Sequence, residues 1–306
     1  MKNVLLLFSQ ASIDRAQAEP KSLERLLLQE LPAPHTGKMA ISHAVYSNLV
    51  HIISADKAAI IDIVTGKDIA DFNLIYQRRW QDVPDQAKAC ATYLTHKNIP
   101  NIDREAYVTA SKNKLTQMWQ LWEAGLPIPA TAYASSEAGA RWLVEHVDAL
   151  PFGFPMVAKG VNATRGQHNF LVNTAAELAT VFTDHPTMAF LVQEFLPNDG
   201  DYRVLVCGDK AQLVMHRQAT QGRHTNNTSQ GGQATLVGAK SLSPAILDDC
   251  VRAAHVFNRD FAGVDVVISN GKHYFFEVNR APQIESGQFV SDKAAVLAGY
   301  LFELAQ

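Results

Sequence analysis

The run Asp265-Val-Val-Ile-Ser-Asn-Gly-Lys-His-Tyr-Phe-Phe-Glu277-Val278-Asn279 has two β-rich segments flanking an Asn-Gly pair, the pattern of a hairpin. One end of that hairpin collects two carboxylates and an amide oxygen. Magnesium takes hard oxygen ligands in near-octahedral geometry and shares them with substrate phosphates, so one or two carboxylates on rigid strands suit it. Glu277 and Asn279 stand two apart on a strand and share a face. Asp265 joins them only if the turn has the right length. A two-residue Asn270-Gly271 loop in a regular hairpin sends Asp265 to the opposite face. A three-residue loop, Ser269-Asn270-Gly271 with the glycine left-handed, restores the parity. The expectation is therefore the odd loop, with Asp265 and Glu277 as diagonal neighbours.

The surrounding chain is long enough to give that hairpin a large core. Its 306 residues suggest about two domains, and 47% hydrophobic with 19% charged residues is ordinary globular composition. A formal charge of −3 carries no basic excess, which argues against nucleic acid as a partner. The three cysteines, Cys90, Cys207 and Cys250, are far apart and lack metal-ligand spacing, so buried packing in a reduced compartment is expected. The opening apolar run from Val4 to Phe8 reads as a buried strand rather than a signal peptide. No apolar run approaches the ~20 residues of a membrane span, and the expectation is a cytoplasmic protein with no membrane partner.

Apolar runs at 4–8, 41–45, 50–53, 58–64 and 72–76 alternate with helical stretches at 20–30 and 84–97, which predicts a small α/β layer with a largely parallel sheet over 1–108. Helices follow at 111–124, with Ser111 as N-cap, and at 136–147. From Pro151 onward the pattern turns antiparallel: strands at 156–159, 170–172, 189–193, 202–207 and 212–218, helices at 174–182 and 244–257, and a C-terminal helix ending near Ala305. The long polar segment 219–233 carries many specific polar residues, as functional loops do.

Two further pieces carry chemistry. The strand Pro155-Met-Val-Ala-Lys159 ends in a lysine and runs into Gly-Val-Asn-Ala-Thr164-Arg-Gly166-Gln-His168, small residues whose backbone N–H groups can hold phosphates. Gln193-Glu194-Phe195-Leu196 ends another strand, where main-chain groups can read an adenine edge, and Asp201 and Arg203 lie just beyond. Singly, each is commonplace.

The order of these parts resembles the ATP-grasp superfamily and, within it, the RimK-like ligases, which are similar to glutathione synthetase. The resemblance covers roughly 109–290, and the first hundred residues only in outline. It implies an α/β (α+β) ATP-grasp fold: an N-terminal pre-ATP-grasp domain over 1–108, a central lid subdomain over 109–188 and a C-terminal antiparallel subdomain over 189–306. It also implies ATP and Mg2+ (or Mn2+) as cofactors. By carry-over, Lys114 and Lys159 hold nucleotide phosphates together with the Thr164 and Gly166 loop. Gln193 to Leu196 binds adenine, with Glu194 and Phe195 giving backbone contacts, and Asp201 lies near the ribose. Arg217 faces the transferred phosphoryl group, Asn227 contacts phosphate or metal, and Asp265, Glu277 and Asn279 match the metal ligands.

The chemistry so implied is ATP-dependent joining of a carboxylate to an amine through an acyl-phosphate, with a small molecule or peptide on each side. The resemblance makes a dimer or higher oligomer plausible. His168 stands where many relatives have a second glycine, Gln283 follows Pro282 where glycine is usual, and Thr225 replaces an arginine of the ribosomal-protein glutamate ligases. Arg223 and Arg280 are then the candidates for gripping substrate carboxylates. Arg78-Arg79-Trp80 reads as a strand-end anchor. Two other readings stay open on the sequence: an ATP-grasp kinase acting on a hydroxyl, and a nucleotide-binding protein without catalysis.

Overall fold

The computed structural model describes residues 1–16, 20–56, 58–108, 113–161, 168–218 and 232–305. The sequence expectations for Ser111, Thr164, Gly166, Arg223, Thr225 and Asn227 lie outside the described residues. The chain opens with β1 (Lys2–Phe8), α1 (Gln10–Ala16), α2 (Pro20–Gln29), β2 (Met39–Val45), β3 (Leu49–Ile53), β4 (Ala58–Asp62), β5 (Lys67–Asp68), β6 (Leu74–Gln77), α3 (Pro84–His96) and β7 (Asn101–Ile102).

Four of these strands make a parallel sheet in the order β2-β1-β6-β7. A parallel strand covered on both faces reads as a continuous apolar run, and β1 does so for that reason. Val4, Leu6 and Phe8 pack toward α2, while Leu5 and Leu7 pack toward α3. The expected parallel layer is therefore present. The segments at 49–53 and 58–62 leave it to form a separate antiparallel sheet, β3-β4-β5.

The next elements are α4 (Lys114–Glu123), β8 (Thr131–Ala134), α5 (Glu137–Glu145), β9 (Met156–Gly160), β10 (Asn169–Val172), α6 (Ala175–Asp184) and β11 (Phe190–Glu194). Helix α4 begins at Lys114, with the Asn113 side chain accepting from Leu115 N–H at 2.8 Å. The four strands form an antiparallel sheet, β10-β9-β11-β8, which takes in β11 up to Glu194. Alternation splits it cleanly. Met156, Ala158, Phe190 and Val192 pack against α5 and α6, so Val157, Lys159, Leu191 and Gln193 face the other way.

The remainder is β12 (Asp201–Cys207), β13 (Lys210–Gln218), β14 (Gln233–Val237), α7 (Pro244–Val256), β15 (Phe261–Ser269), β16 (Lys272–Asn279) and α8 (Val290–Leu304). Its sheet is antiparallel in the order β14-β13-β12-β15-β16. One face, with Val204, Val206, Val264, Val266 and Phe275, is covered by α7 and α4. Helix α8 sends Leu297 and Leu301 into a core shared with β1, β6, Cys207 and Phe261, which ties this sheet to the parallel one. All three cysteines are buried and unbridged, as expected. Burial pushes the Cys90 thiol up to about 12. Among the described residues no helix is long and apolar enough to cross a membrane.

The hairpin corrects one expectation. Ser269 pairs with Lys272, so the loop has two residues, and Asn270 (φ 50°) and Gly271 (φ 74°) both take the left-handed conformation of a type I′ turn, whose twist matches that of the strands. Parity is restored further along. Val266 pairs with Phe275 but Asp265 pairs with Glu277, leaving Phe276 as the extra residue of a β-bulge. Phe275 and Val278 therefore both point into the core, while Phe276 and Glu277, consecutive in sequence, both face the opposite side. Asp265 and Glu277 are directly opposed rather than diagonal.

The parallel sheet is also bolted to β15 and β16 by charge. Glu105, 2% exposed, accepts from Arg259 at 3.0 and 2.8 Å and from Arg280 at 2.5 Å. Breaking a buried pair strands the partner charge, so Glu105→Gln is expected to lower the unfolding free energy by about 3–5 kcal/mol. Urea denaturation measures this, and an unchanged midpoint would refute it.

Candidate active site

Between the middle sheet and the five-stranded sheet lies a cleft of about 190 Å³. The residue pattern requires it: both sheets spend one face on helices and turn polar-bearing faces toward each other. Val157, Leu191 and Leu196 line it beside Met118 of α4 and Val267 of β15, an apolar slot able to take a flat ring. Lys114, Lys159, Asp201, Arg217, Asp265 and Glu277 line it with charge.

Lys114 starts α4, and its Nζ donates to the Gly160 and Val161 carbonyls at 3.5 and 3.4 Å. Lys159 is the penultimate residue of β9, and its Nζ lies 4.2 Å from the Phe276 ring centroid, so the bulge that turns Glu277 outward also sets an aromatic face beneath a lysine. Burial pushes the Lys159 amine down to about 8 against the upward pull of Glu277, and burial lowers Lys114 in the same way.

A consequence can be measured. A polyphosphate placed beside Lys159 favours its charged form. At pH 8 about half of the free protein lacks that proton, and binding recovers it; at pH 6 the lysine is already charged and nothing is taken up. ATP titrated by calorimetry without metal is thus expected to show proton uptake of roughly 0.5 per site at pH 8 and almost none at pH 6. Equal uptake at both values would refute the assignment.

On the five-stranded sheet the charges alternate. Asp201 sits opposite Arg217, and Arg203 opposite Asp265. Arg217 donates from Nε and Nη2 to Asp201 at 2.8 and 2.5 Å, and its Nη2 lies 3.1 Å from Asp265 Oδ2. Arg203 grips both Asp265 oxygens at 2.7 Å. Burial pushes the Asp265 carboxyl up, but Arg203 and Arg217 together outweigh it and hold the group below its ordinary value. Burial opposes the charge of Arg217 less than Asp265 and Asp201 favour it, so its pKa rises further. Asn279 Nδ2 donates to Asp265 Oδ2 at 3.3 Å.

The three expected metal ligands thus share one face: Asp265 and Glu277 paired across the ladder, with Asn279 beside Asp265. Among the described residues no group of three or more His, Cys, Asp or Glu side chains forms a complete cage. Two carboxylates and an amide oxygen fit a magnesium ion that completes its shell with water and phosphate oxygens. Glu277 faces the cleft beside two lysines, whereas Asp265 meets it already paired with arginines.

The hinge lines the cleft as expected, with a refinement. Glu194 N–H donates to the Ala130 carbonyl, Phe195 N–H to the Pro155 carbonyl, and the Leu196 carbonyl accepts from Asn198 Nδ2 at 2.6 Å, so these groups are already engaged within the hinge. The Gln193 side chain is 2% exposed and bonds Thr131 Oγ1 at 2.9 Å. Asp201 reaches the cleft with both oxygens on Arg217. Arg280 is not brought to the cleft lining: it pairs with Glu105, and its guanidinium carbon lies 5.2 Å from the Trp80 ring centroid. Arg78 and Arg79 lie 3.1 and 3.7 Å from Glu285, which bears out an anchoring role. The sequence reading named Arg203 and Phe276 without giving either a role in the site. Arg203 was recoverable, because it stands two residues from Asp201 on one strand and must share its face.

Comparison with known proteins agrees with this geometry. A family model described as a RimK-like ATP-grasp domain matches residues 111–297. A curated protein of Syntrophotalea carbinolica named "Probable alpha-L-glutamate ligase" is 29% identical over 232 residues, covering 74% of this chain and 75% of that protein. Among solved structures, the ATP-grasp ligase PsnB complexed with minimal precursor, Mg and ADP superposes with a TM-score of 0.67 at 15% identity, over 99% of this chain and 97% of that one. PsnB complexed with precursor peptide PsnA2 and AMPPNP gives a TM-score of 0.67 at 16% identity, over 99% and 98%. At such identities the likeness is one of fold.

Proposed function

The chain belongs to the RimK-like ATP-grasp family and is an ATP-dependent carboxylate–amine ligase, and from that premise we propose how the cleft performs the ligation and on what class of substrate. The observation that carries the proposal is the convergence of Lys114, Lys159, Arg217, Asp265 and Glu277 from two sheets and a helix on one cleft.

The base of ATP lies in the slot of Val157, Leu191 and Met118, against the hinge at 193–196 where the middle sheet ends. Lys114 and Lys159 hold the phosphates. Asp265, Glu277 and Asn279 would hold magnesium, which when bound neutralises charge on the phosphate oxygens. Asp201 and Asp265 orient the Arg217 guanidinium, so that it meets the charge developing on the transferred group without reorganising. A carboxylate oxygen attacks the γ-phosphorus, the new O–P bond forming as the bond to the ADP oxygen breaks. An amine then attacks the acyl carbon; the C–N bond forms as the C–O bond to phosphate breaks, phosphate departs with that oxygen and the electron pair, and the amine proton passes to solvent.

The name of the Syntrophotalea relative supports L-glutamate as one substrate, and the peptide-bound neighbour supports a peptide as the other. Three unbridged cysteines suit a reducing cytoplasm. The test incubates the protein with magnesium-ATP, pooled amino acids and dipeptides, following ADP, phosphate and new amide masses. An amide containing glutamate is expected; ADP release with a phosphorylated hydroxyl product would overturn the proposed chemistry.

A further inference from the structure

The small antiparallel sheet β3-β4-β5 ends in a strand with nothing to guard it. Among the described residues no strand pairs with the outer edge of β3, and its residues, Leu49-Val-His-Ile-Ile53, include no Asp, Glu, Lys or Arg and no proline. Its register with β4 runs without a bulge. Charge, proline and bulges are the devices that keep an open edge from pairing, and this edge has none of them. Apolar exposure concentrates on the same sheet. Of the twelve large hydrophobic side chains exposed among the described residues, Val50, Ile52, Ile53, Ile63 and Val64 belong to this one hairpin, and Ile53 is 83% exposed. Such a cluster marks a contact surface, where scattered single residues would not.

The backbone fixes which groups the edge offers. Ile63 N–H donates to the Asn48 carbonyl at 3.0 Å, in the same register that pairs Val50 with Ile61 and Ile52 with Ala59. Hydrogen-bonded pairs alternate along an antiparallel ladder, so Val50 and Ile52 turn their N–H and C=O groups to β4. Leu49, His51 and Ile53 turn theirs outward. The side chains alternate too: Leu49 packs with Ile60 in the core beneath, while Val50 and Ile52 lie on the outer face.

The chemistry of β3 is symmetric about His51. Leu49 and Ile53 flank it two residues away, Val50 and Ile52 one residue away. A strand with that symmetry complements an antiparallel copy of itself, which is what an isologous two-fold contact requires.

We propose that β3 is the interface with a second copy of this chain: two β3 strands pair antiparallel about a two-fold axis at His51, joining two three-stranded sheets into one. In this register His51 opposes His51, Leu49 opposes Ile53 and Val50 opposes Ile52 of the second copy. Every outward N–H and C=O group of the strand then finds a partner, and a slipped register leaves those of one end unmet. Ile53 comes to rest beside Leu49 of the second copy, at the margin of its core. The symmetry of the strand selects a second copy over an unrelated extended peptide, which would need only the open edge.

Sedimentation velocity of the full chain at micromolar concentration is the first test. The wild type is expected to run at twice the mass of the chain. His51→Pro removes an outward N–H and sets a ring against the second copy while keeping every bond to β4, so it is expected to run as a single chain with an unchanged far-UV circular dichroism spectrum. A monomeric wild type overturns the proposal, and so does a folded His51→Pro protein that stays a dimer.

Cysteine pairing tests the register without disturbing the backbone. Opposed residues outside the hydrogen-bonded pairs lie about 4.5 Å apart at Cα and can be bridged, whereas Val50 of one copy and Val50 of the other are diagonal at about 7–8 Å and cannot. Co-expressed and oxidised, Val50→Cys and Ile52→Cys are expected to give a covalent dimer that neither gives alone. The native cysteines Cys90, Cys207 and Cys250 are buried and supply no background. Cross-linking by either variant alone, or none by the two together, overturns the proposal.

Discussion

Glu277→Gln is expected to lower magnesium-ATP turnover by about a thousand-fold, roughly 4 kcal/mol of transition-state stabilisation, in a protein that melts like the wild type. The substitution keeps the shape of the side chain and the bulge that turns it outward, and removes only charge. That charge acts twice. It is the carboxylate across the ladder from Asp265, in position to hold a metal against the phosphates. It is also the main group pulling the Lys159 and Lys114 amines back toward their ordinary values against burial. Without it both lysines lose protons at lower pH, so ATP binding at pH 8 should weaken as well. Single-turnover ADP formation across a magnesium titration separates the two effects. A turnover within a few-fold of the wild type would remove Glu277 from the site.

The second large effect is at Arg217. Arg217→Ala would strand the half-buried Asp201 carboxylate, leave Asp265 to Arg203 alone and cost about 3–5 kcal/mol of stability, which would blur any kinetic reading. Arg217→Lys keeps the charge and gives up the fork: one ammonium cannot bond both Asp201 oxygens and Asp265 in the same geometry. A group that acts mainly on charge developing in the transition state should be missed in kcat rather than in ground-state binding. The expectation is a fall in kcat of about 10²- to 10³-fold with the ATP dissociation constant changed less than about five-fold. An equal loss in both would make Arg217 a binding residue.

Most of this site was legible because strand periodicity is strict. Lys159 near the end of β9, Gln193 to Leu196 at the end of β11, and Asp201, Arg217 and Asp265 on one face follow from alternation once the strands are placed. The bulge was not legible. A three-residue turn and a two-residue turn with an extra strand residue give the same facing of Asp265 and Glu277, and the Asn270-Gly271 pair favours the second only through its backbone preference. Arg280 was offered for a substrate carboxylate because a guanidinium grips one well, but the sequence does not reveal that Glu105, 175 residues away, takes it instead. The 49–62 strands looked like members of the parallel layer because a short apolar run does not reveal its partner.

The bulge at Phe276 also bears on how this hairpin can vary in length. Because the extra residue sits in the strand and not in the loop, a relative one residue shorter between its two metal-facing carboxylates, and with the same Asn-Gly turn, is a plain hairpin that has lost the counterpart of Phe276. An alignment gap then belongs beside Glu277, at the bulge. Placed at the turn instead, it would match core-facing positions with cleft-facing ones along half of β16.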